Sequence, residues 1–139
     1  MTRGAPELTE NEIQKAVFAN LRQRGAPGIF AFHPKNGSSD MAGRRAGIYK
    51  ALGVEPGVPD VIVLRKMMGR MLGEYHQAVY ALELKRESRR GKKEKQYEID
   101  QGKTRVRMHL CGVTVGIAYG LDDAIKWLED CGLLIGVTA

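Results

Sequence analysis

Long apolar runs are missing from this sequence. No stretch of its 139 residues approaches the roughly 20 apolar residues that a membrane-spanning helix requires. The opening residues, MTRGAPELTENE, also lack the apolar core of a secretory signal. We therefore expect no membrane partner and a cytoplasmic location.

Cysteine and histidine are scarce. The two cysteines, Cys111 and Cys131, are too few for a disulfide framework, and they fit a reducing cytosol as small buried side chains. Neither belongs to a CxxC motif or a Cys/His cluster, which argues against a structural zinc site. Of the three histidines, His33 and His76 have no spacing typical of metal ligands.

Composition and periodicity indicate one α/β domain. The chain is 43% apolar and 27% charged, which is ordinary for a globular protein with a single core. Thr9 and Glu12 are spaced for a capping box ahead of apolar residues at helical spacing. We expect helices at Thr9–Arg24, Ser39–Leu52, Tyr97–Leu110 and Leu121–Cys131, and strands at Ile29–His33, Val58–Leu64, Val79–Lys85 and Val113–Tyr119. This order predicts a mixed β-sheet flanked by helices.

Two apolar segments lie outside these helices and strands. The segment RKMMGRMLGEYHQ, residues 65–77, either caps the core or forms a partner surface, and core packing is the favoured interpretation. Its large apolar residues are Met67, Met68, Met71 and Leu72. The tail, Leu133–Val137, is expected to add a short edge strand and is a second candidate for a contact surface.

Two of the predicted strands contain charged residues among apolar ones. Glu83 and Lys85 share one face of VYALELK, because side chains alternate along a strand, and both faces begin apolar, as in an interior strand. Asp60 precedes the apolar run VIVL directly after Pro59. An exposed strand end with an ion pair is the structural alternative. However, an ionised carboxylate beside apolar packing is costly unless a cation or several donors satisfy it.

Two carboxylates on neighbouring strands would repel each other unless a divalent cation lay between them. Carboxylate oxygens suit Mg²⁺ or Mn²⁺, which keep positions open for water and phosphate. Such an ion polarises a phosphoryl oxygen and lowers the pKa of a bound water. The Lys85 ammonium would orient the attacking water or offset charge in the transition state. These residue types therefore predict phosphodiester hydrolysis.

The ordered set of motifs resembles a known nuclease family. KALGVEPGVPDVIVL, from Lys50 to Leu64, is followed by ALELK, then by a glutamine, and then by the Gly112 that opens a strand. This set is similar to the VRR-NUC branch of the PD-(D/E)xK nuclease superfamily, over roughly Glu10 to Leu128. The resemblance implies a single VRR-NUC-like domain over residues 1–139, with a core at about 9–131 and a restriction-endonuclease-like α/β fold.

The resemblance also implies roles for individual residues. Asp60 and Glu83 match the family's metal-binding carboxylates, and Lys85 matches its catalytic lysine. The backbone carbonyl of Leu84 is implied as a further ligand of the metal. The cofactor expected from this set is Mg²⁺ or Mn²⁺.

Two further catalytic residues of the family each have two candidates here. For a glutamine on the helix after the lysine, the spacing to Gly112 favours Gln101, with Gln96 as the alternative. For an acid on the first helix, which is implied as a metal ligand too, Glu10 and Glu12 compete. At about 100° per residue, Glu10 falls inside the apolar stripe of that helix and Glu12 well away from it. Glu10 is therefore expected to face the sheet.

Most of the net charge of +6 lies in one segment. Residues 86–107 contain nine basic and four acidic residues, which is typical either of a solvated helix face or of a phosphate-binding surface. Only nine aromatic residues occur, so we expect recognition of the duplex backbone and shape rather than base stacking. The nucleic-acid contacts expected are Arg86, Arg89, Arg90, Lys92, Lys93, Lys95 and Lys103, with Arg44, Arg45 and Lys50 as possible additions.

Stand-alone members of the family resemble structure-selective nucleases that act on branched DNA, including four-way (Holliday) junctions. We therefore expect a metal-dependent endonuclease, in a bacterial cell or a phage-infected host. Because symmetric cutting of two strands requires two active sites, we also expect a homodimer. The alternatives are a non-catalytic DNA-binding module, a nuclease acting on flaps, nicked DNA or RNA, and a structural domain whose acids form ion pairs.

Overall fold

A four-stranded mixed sheet with flanking helices forms the described part of the chain. The computed structural model describes residues 6–34 and 46–136. The helices are α1 (Glu10–Arg24), α2 (Ala46–Ala51), α3 (Gln96–Leu110) and α4 (Leu121–Asp130), and the strands are β1 (Ile29–Phe32), β2 (Val61–Met68), β3 (Tyr75–Lys85) and β4 (Thr114–Tyr119). A short 3₁₀ helix, Glu87–Arg89, follows β3. The predicted fold class and the predicted order of elements are confirmed.

Some predicted features lie outside the described residues. They are the contacts expected of Arg44 and Arg45, the first part of the helix expected at Ser39–Leu52, and the turn that the dipeptide Asn36-Gly37 predicts after the first strand. The described part of that helix is α2. The longest helices described, α1 and α3, have 15 residues each, and within residues 6–34 and 46–136 no helix is long and apolar enough to cross a bilayer.

The sheet has the strand order β1-β2-β3-β4. Strand β2 is antiparallel to both β1 and β3, whereas β4 is parallel to β3. Strand β3 is therefore paired on both sides, which is the interior position that its two apolar faces predicted.

One face of the sheet builds the core with α1 and α4. Leu82 and Leu84 of β3 point to this face and are almost fully buried. Helix α1 contributes the apolar stripe of Ile13, Val17 and Leu21. The predicted capping box is confirmed, because the Thr9 hydroxyl accepts from the Glu12 backbone N–H while the Glu12 carboxylate accepts from the Thr9 N–H.

Strands β2 and β3 extend beyond their neighbours as a two-stranded arm. Strand β1 pairs with β2 only as far as Arg65, and β4 pairs with β3 only from Tyr80 onward. Among the described strands, none therefore lies beside residues 66–77, here called the β2–β3 arm, on either side. The favoured core packing of the methionine-rich segment is wrong: Met68, Met71 and Leu72 are 71%, 73% and 105% exposed, because no described element covers the tip of the arm.

The tail and the cysteines also differ from expectation. Leu133 and Leu134 are buried in the domain's own core, so they are not available as a contact surface. Within the described residues the tail forms a single bridge, between Leu134 and Gly25, rather than a strand. Cys111 is exposed at the end of α3, and Cys131 is half-buried.

Candidate active site

Asp60 lies immediately before strand β2. The strand begins at Val61, later than predicted, because the preceding residues include Gly57 at φ +79° and Pro59, which has no backbone N–H to donate. Val61 pairs with Leu82, so continuing the antiparallel register sets Asp60 opposite Glu83. The Leu84 backbone N–H donates to Asp60 Oδ2 at 2.8 Å, which fixes the carboxylate against β3.

Glu83 and Lys85 are buried at the C-terminal end of β3. Their exposures are 3% and 2%, although charged side chains are seldom buried this fully without partners. Both point away from the core face that Leu82 and Leu84 occupy, as strand alternation requires. Asp60, Glu83 and Lys85 are thus brought together at adjoining ends of β2 and β3.

The Lys85 ammonium has three neighbours. Its Nζ donates to Gln101 Oε1 at 2.7 Å and lies 3.8 Å from Glu83 Oε1. It also lies 5.2 Å from the centroid of the Tyr97 ring, within the range of a cation–π contact. The strand and helix α3 together hold this lysine in one position.

Helix α3 reaches the site because the loop before β2 packs closely against it. A Cβ added to Gly57 would lie 3.1 Å from Gln101 Cα and 3.1 Å from Thr104 Oγ1, so glycine, which also adopts the φ of +79° without strain, favours this close approach. Thr104 Oγ1 donates to the Pro56 carbonyl at 3.0 Å. Of the two candidate glutamines, Gln101 contacts Lys85, whereas Gln96 donates to Asp100 on the exposed side of the helix.

Glu83 has an unusual protonation state in the absence of a cation. Burial, reinforced by the nearby Asp60 carboxylate, raises the pKa of Glu83 to about 9. Lys85 opposes this shift only in part, since 3.8 Å is too long for a hydrogen bond. Among the described residues, Glu83 Oε2 is buried without a hydrogen-bond partner. The protonated carboxyl is therefore the favoured form, able to donate to Asp60.

Glu10 lies at the rim of the cleft that contains Asp60 and Glu83. It is exposed, and partial desolvation together with Asp60 raises the pKa of its carboxyl, while Lys85 opposes the rise. Glu12 is occupied by the capping box instead. The cleft has a volume of about 660 Å³. Its lining comprises Glu10, Asn11, Gln14, His33, residues 56–58, Asp60, Glu83, Tyr97, Asp100, Gln101 and Thr104.

The residues present fit a divalent cation bound by two carboxylates. Asp60 and Glu83 face each other, and the unpartnered Glu83 Oε2 together with the raised pKa marks a position where positive charge is lacking. Within the described part of the chain, no group of three or more His, Cys, Asp or Glu side chains is arranged to hold a metal ion. Mg²⁺ commonly takes one or two carboxylates with water and phosphate oxygens. Asp60, Glu83 and the Leu84 carbonyl would be such a set, with Glu10 outside it.

The predicted DNA-contacting residues fall into two groups. Three arginines have acidic neighbours: Arg89 bonds Glu98, Arg90 bonds Glu87 at 2.7 Å, and Arg86 Nε lies 3.8 Å from Glu7. Hydrogen bonds from the Lys95 backbone N–H and Arg89 lower the pKa of Glu98 and keep it ionised. Four exposed lysines have no salt bridge to any residue that the structure describes; they are Lys92, Lys93, Lys95 and Lys103.

Several residues that line the cleft were not predicted from the sequence, and three of them make notable contacts. Tyr97 is 51% exposed and lies against Lys85. Thr104 anchors the loop before β2, and His33 Nδ1 lies 2.7 Å from the Asp60 carbonyl oxygen. Tyr97 and Thr104 flank Gln101 on α3 at helical spacing, which is a signal that could have found them. For His33, the only signal in the sequence was its position at the end of the first predicted strand.

Comparison with known proteins identifies the fold. The solved structure of a VRR_NUC domain protein is similar to this chain with a TM-score of 0.59 and 18% sequence identity, over 91% of this chain and 89% of that chain. No protein-family model matches the chain, and no curated protein sequence matches it either. The class is thus an α/β domain with a mixed sheet flanked by helices. The chain has the VRR-NUC fold, as its motifs predicted.

Proposed function

We propose that this chain is a DNA endonuclease that hydrolyses phosphodiester bonds with the help of Mg²⁺ or Mn²⁺. The observation that carries the proposal is the convergence of Asp60, Glu83 and Lys85: the two acids line one cleft, and the buried Lys85 ammonium lies 3.8 Å from Glu83. Burying an acid and a lysine at a strand end costs stability, so a role in chemistry accounts for their presence better than packing does.

The proposed mechanism gives a task to Asp60, Glu83, Lys85, Gln101 and Glu10. Asp60, held by the Leu84 N–H, and Glu83 would hold the ion, which would supply positive charge to polarise the phosphoryl oxygen. Lys85, oriented by Gln101, positions the attacking water or offsets charge that develops on the phosphate oxygens. Glu10 at the rim is suited to contact water or substrate rather than to complete the ligand set.

The proposed substrate is branched duplex DNA, such as a four-way junction. Four exposed lysines before and on α3, which have no salt bridge to any described acid, support contacts with phosphates. They lie on the chain segment that follows Lys85, which links the phosphate contacts to the cleft. Recognition by shape fits a site without an array of exposed aromatic residues for stacking bases, although Tyr97 offers one ring at the cleft.

The proposed active form is a homodimer in which two copies meet at the tips of their β2–β3 arms. The exposure of Met68, Met71 and Leu72 supports a contact there, because soluble monomers seldom present such clustered large apolar side chains. The arm tip and the cleft lie at opposite ends of β3, about 30 Å apart. A two-fold axis at the arm would therefore leave both clefts open and relate them by symmetry, and symmetric cutting of two strands requires two such sites.

A cleavage assay tests this function. Equal amounts of four-way junction, flap, nicked duplex, linear duplex, single-stranded DNA and RNA are incubated with the protein and with Mg²⁺, Mn²⁺ or EDTA. We expect cutting only with a divalent ion, fastest on the four-way junction, and none by Asp60→Asn, whose amide oxygen can still accept from Leu84. Asp130→Asn, which alters an exposed ion pair with Lys126, is the matched control and should cut like the parent.

A non-catalytic DNA-binding module is the second candidate. The absence of a three-residue ligand group among the described residues favours it. It predicts that junction binding survives Asp60→Asn and that no divalent ion supports cutting of any substrate. Cutting of flaps or RNA in preference to junctions would instead support the proposed hydrolysis and contradict the proposed substrate.

A further inference from the structure

His33 lies just past the end of β1, where the β1–β2 ladder stops. The last pair of that ladder is Phe32 with Ile62. Asp60 precedes β2, so its backbone carbonyl lies outside the strand, yet His33 Nδ1 lies only 2.7 Å from that oxygen. A carbonyl oxygen can only accept, and therefore Nδ1 carries the hydrogen and donates it. The imidazole thus takes the place of the next ladder hydrogen bond.

This bond restrains a residue that regular secondary structure does not hold. Asp60 follows Gly57 and Pro59 in a bend, and strand pairing begins only at Val61. Its side chain is fixed from one direction by the Leu84 N–H of β3, and its backbone is fixed from the other by His33, which follows β1. The orientation of the carboxylate depends on the peptide plane beside it, because only two rotatable side-chain bonds lie between them.

We infer that His33 is a positioning residue that holds the Asp60 carboxylate in the orientation needed to bind a divalent cation. The part of this inference that concerns metal binding rests on the proposed function. Its structural part, the restraint of Asp60, stands on contacts within the protein alone. His33 also lines the cleft, so its ring is part of the wall that faces a substrate.

Two substitutions of His33 by amide residues test the roles of its two ring nitrogens independently. In His33→Asn the amide nitrogen is attached at the position of Nδ1 and can still donate to the Asp60 carbonyl. In His33→Gln it is attached one bond further out, near the position of Nε2, and the bond to Asp60 is lost. His76→Gln, on the exposed part of β3, is the control for the same change away from the cleft.

The first measurement is made by NMR on the protein without metal. We expect the His33 ring in the Nδ1–H form, and we expect the Leu84 amide hydrogen to exchange several-fold to about tenfold faster in His33→Gln than in the parent. In His33→Asn the Leu84 exchange rate should match that of the parent. The exchange rate of the Leu82 amide, which lies inside the β2–β3 ladder, should be the same in all variants. An Nε2–H ring, or equal Leu84 exchange in His33→Gln and the parent, would overturn the inference.

The second measurement is Mn²⁺ affinity by calorimetry or electron paramagnetic resonance. We expect His33→Gln to bind Mn²⁺ about 10- to 100-fold more weakly than the parent, as for partners that orient metal ligands, and His33→Asn to stay close to the parent. Equal losses in both variants would contradict positioning through Nδ1. A parent protein that binds no Mn²⁺ and cuts no DNA would instead contradict the proposed function, and Leu84 exchange would still decide the role of His33.

Discussion

The two ends of strand β3 break the usual rules of burial in opposite ways. At its C-terminal end Glu83 and Lys85 are buried, whereas at its N-terminal end Tyr75 and its neighbour Met68 are exposed. Both departures cost stability or solubility, and departures of this kind concentrate at functional sites. The buried charges indicate chemistry, and the exposed apolar residues indicate contact with another molecule. One strand thus connects a proposed active site with a proposed interface.

The largest effect is expected on the cleavage rate, and it compares two lysines of the β2–β3 hairpin that each lie against a tyrosine ring. Lys85 lies against the Tyr97 ring and Lys66 over the Tyr75 ring, at 5.2 and 4.6 Å from the centroids. We expect Lys85→Met to lower the metal-supported cleavage rate about 10³-fold, because it removes the charge beside the reacting phosphate. Lys66→Met should leave the rate within twofold of the parent. Equal losses of cleavage rate in the two variants, measured in single-turnover assays, would contradict a specific catalytic role for Lys85.

The next effect separates the two glutamines of α3. Gln101 accepts from the Lys85 ammonium, whereas Gln96 bonds Asp100 at the surface. We expect Gln101→Ala to lower the single-turnover cleavage rate about 10- to 100-fold, because Lys85 loses the partner that orients it. Gln96→Ala should cut like the parent. A loss confined to Gln96→Ala would reverse the assignment.

At the other end of the strand the expected effect is on assembly. Leu72→Asp, at the tip of the arm, should weaken dimerisation at least about tenfold by placing a charge in the proposed interface. Leu110→Asp, at another strongly exposed position, on α3, is the matched control. Sedimentation velocity at several concentrations measures both. A parent that sediments only as a monomer, or a dimer that persists in Leu72→Asp, would contradict the proposed interface.

The buried acid also predicts how stability depends on pH. In the folded metal-free protein the pKa of Glu83 is raised from its ordinary value of 4.5 to about 9. Between these two pH values the folded state therefore keeps a proton that the unfolded state loses. Its contribution to the free energy of unfolding therefore falls as pH rises through this window. Glu83→Gln should raise Tm by several degrees at pH 8 and by much less at pH 5, as measured by calorimetry without metal.

Saturating Mn²⁺ gives the complementary result. It should raise the Tm of the parent at pH 8, because the ion replaces the retained proton and binds only the folded state. The same addition should have little effect on Glu83→Gln. A Glu83→Gln gain of equal size at pH 5 and pH 8 would show that the acid is not held protonated in the folded protein.

The smallest effect concerns DNA affinity. Changing Lys92, Lys93 and Lys95 together to alanine should reduce the slope of log K against log salt by up to about 2.7, since each duplex phosphate contact contributes about 0.9. Arg90→Ala should hardly change the slope, because Arg90 already bonds Glu87. Fluorescence anisotropy with a labelled junction measures both. A larger change for Arg90→Ala would mean that its ion pair opens on binding.

Local signals and strand neighbours explain what was predictable from the sequence. The capping box of α1 depends on residues three positions apart, so it could be read directly. The meeting of Asp60 with Glu83 and Lys85 follows once their two strands are neighbours in a sheet. Gln101 could be favoured over Gln96 from spacing, and the structure places it against Lys85. Their catalytic and metal-binding roles stay predictions.

What could not be predicted depends on register and on distant partners. The bond from His33 to Asp60 requires knowing where the β1–β2 ladder ends, which no local pattern reveals. The exposure of Met71 and Leu72 follows from β2 and β3 extending past β1 and β4, which is a property of the whole sheet. The charge count of residues 86–107 likewise could not tell arginines held by acids from free lysines.

The central claim is tested most directly by soaking crystals of the protein in Mn²⁺ and collecting anomalous diffraction. The account predicts an anomalous peak between the carboxylates of Asp60 and Glu83, within bonding distance of both, and its loss in crystals of Asp60→Asn. A Mn²⁺ peak at another position, or no peak between these two carboxylates at saturating concentration, would contradict the account.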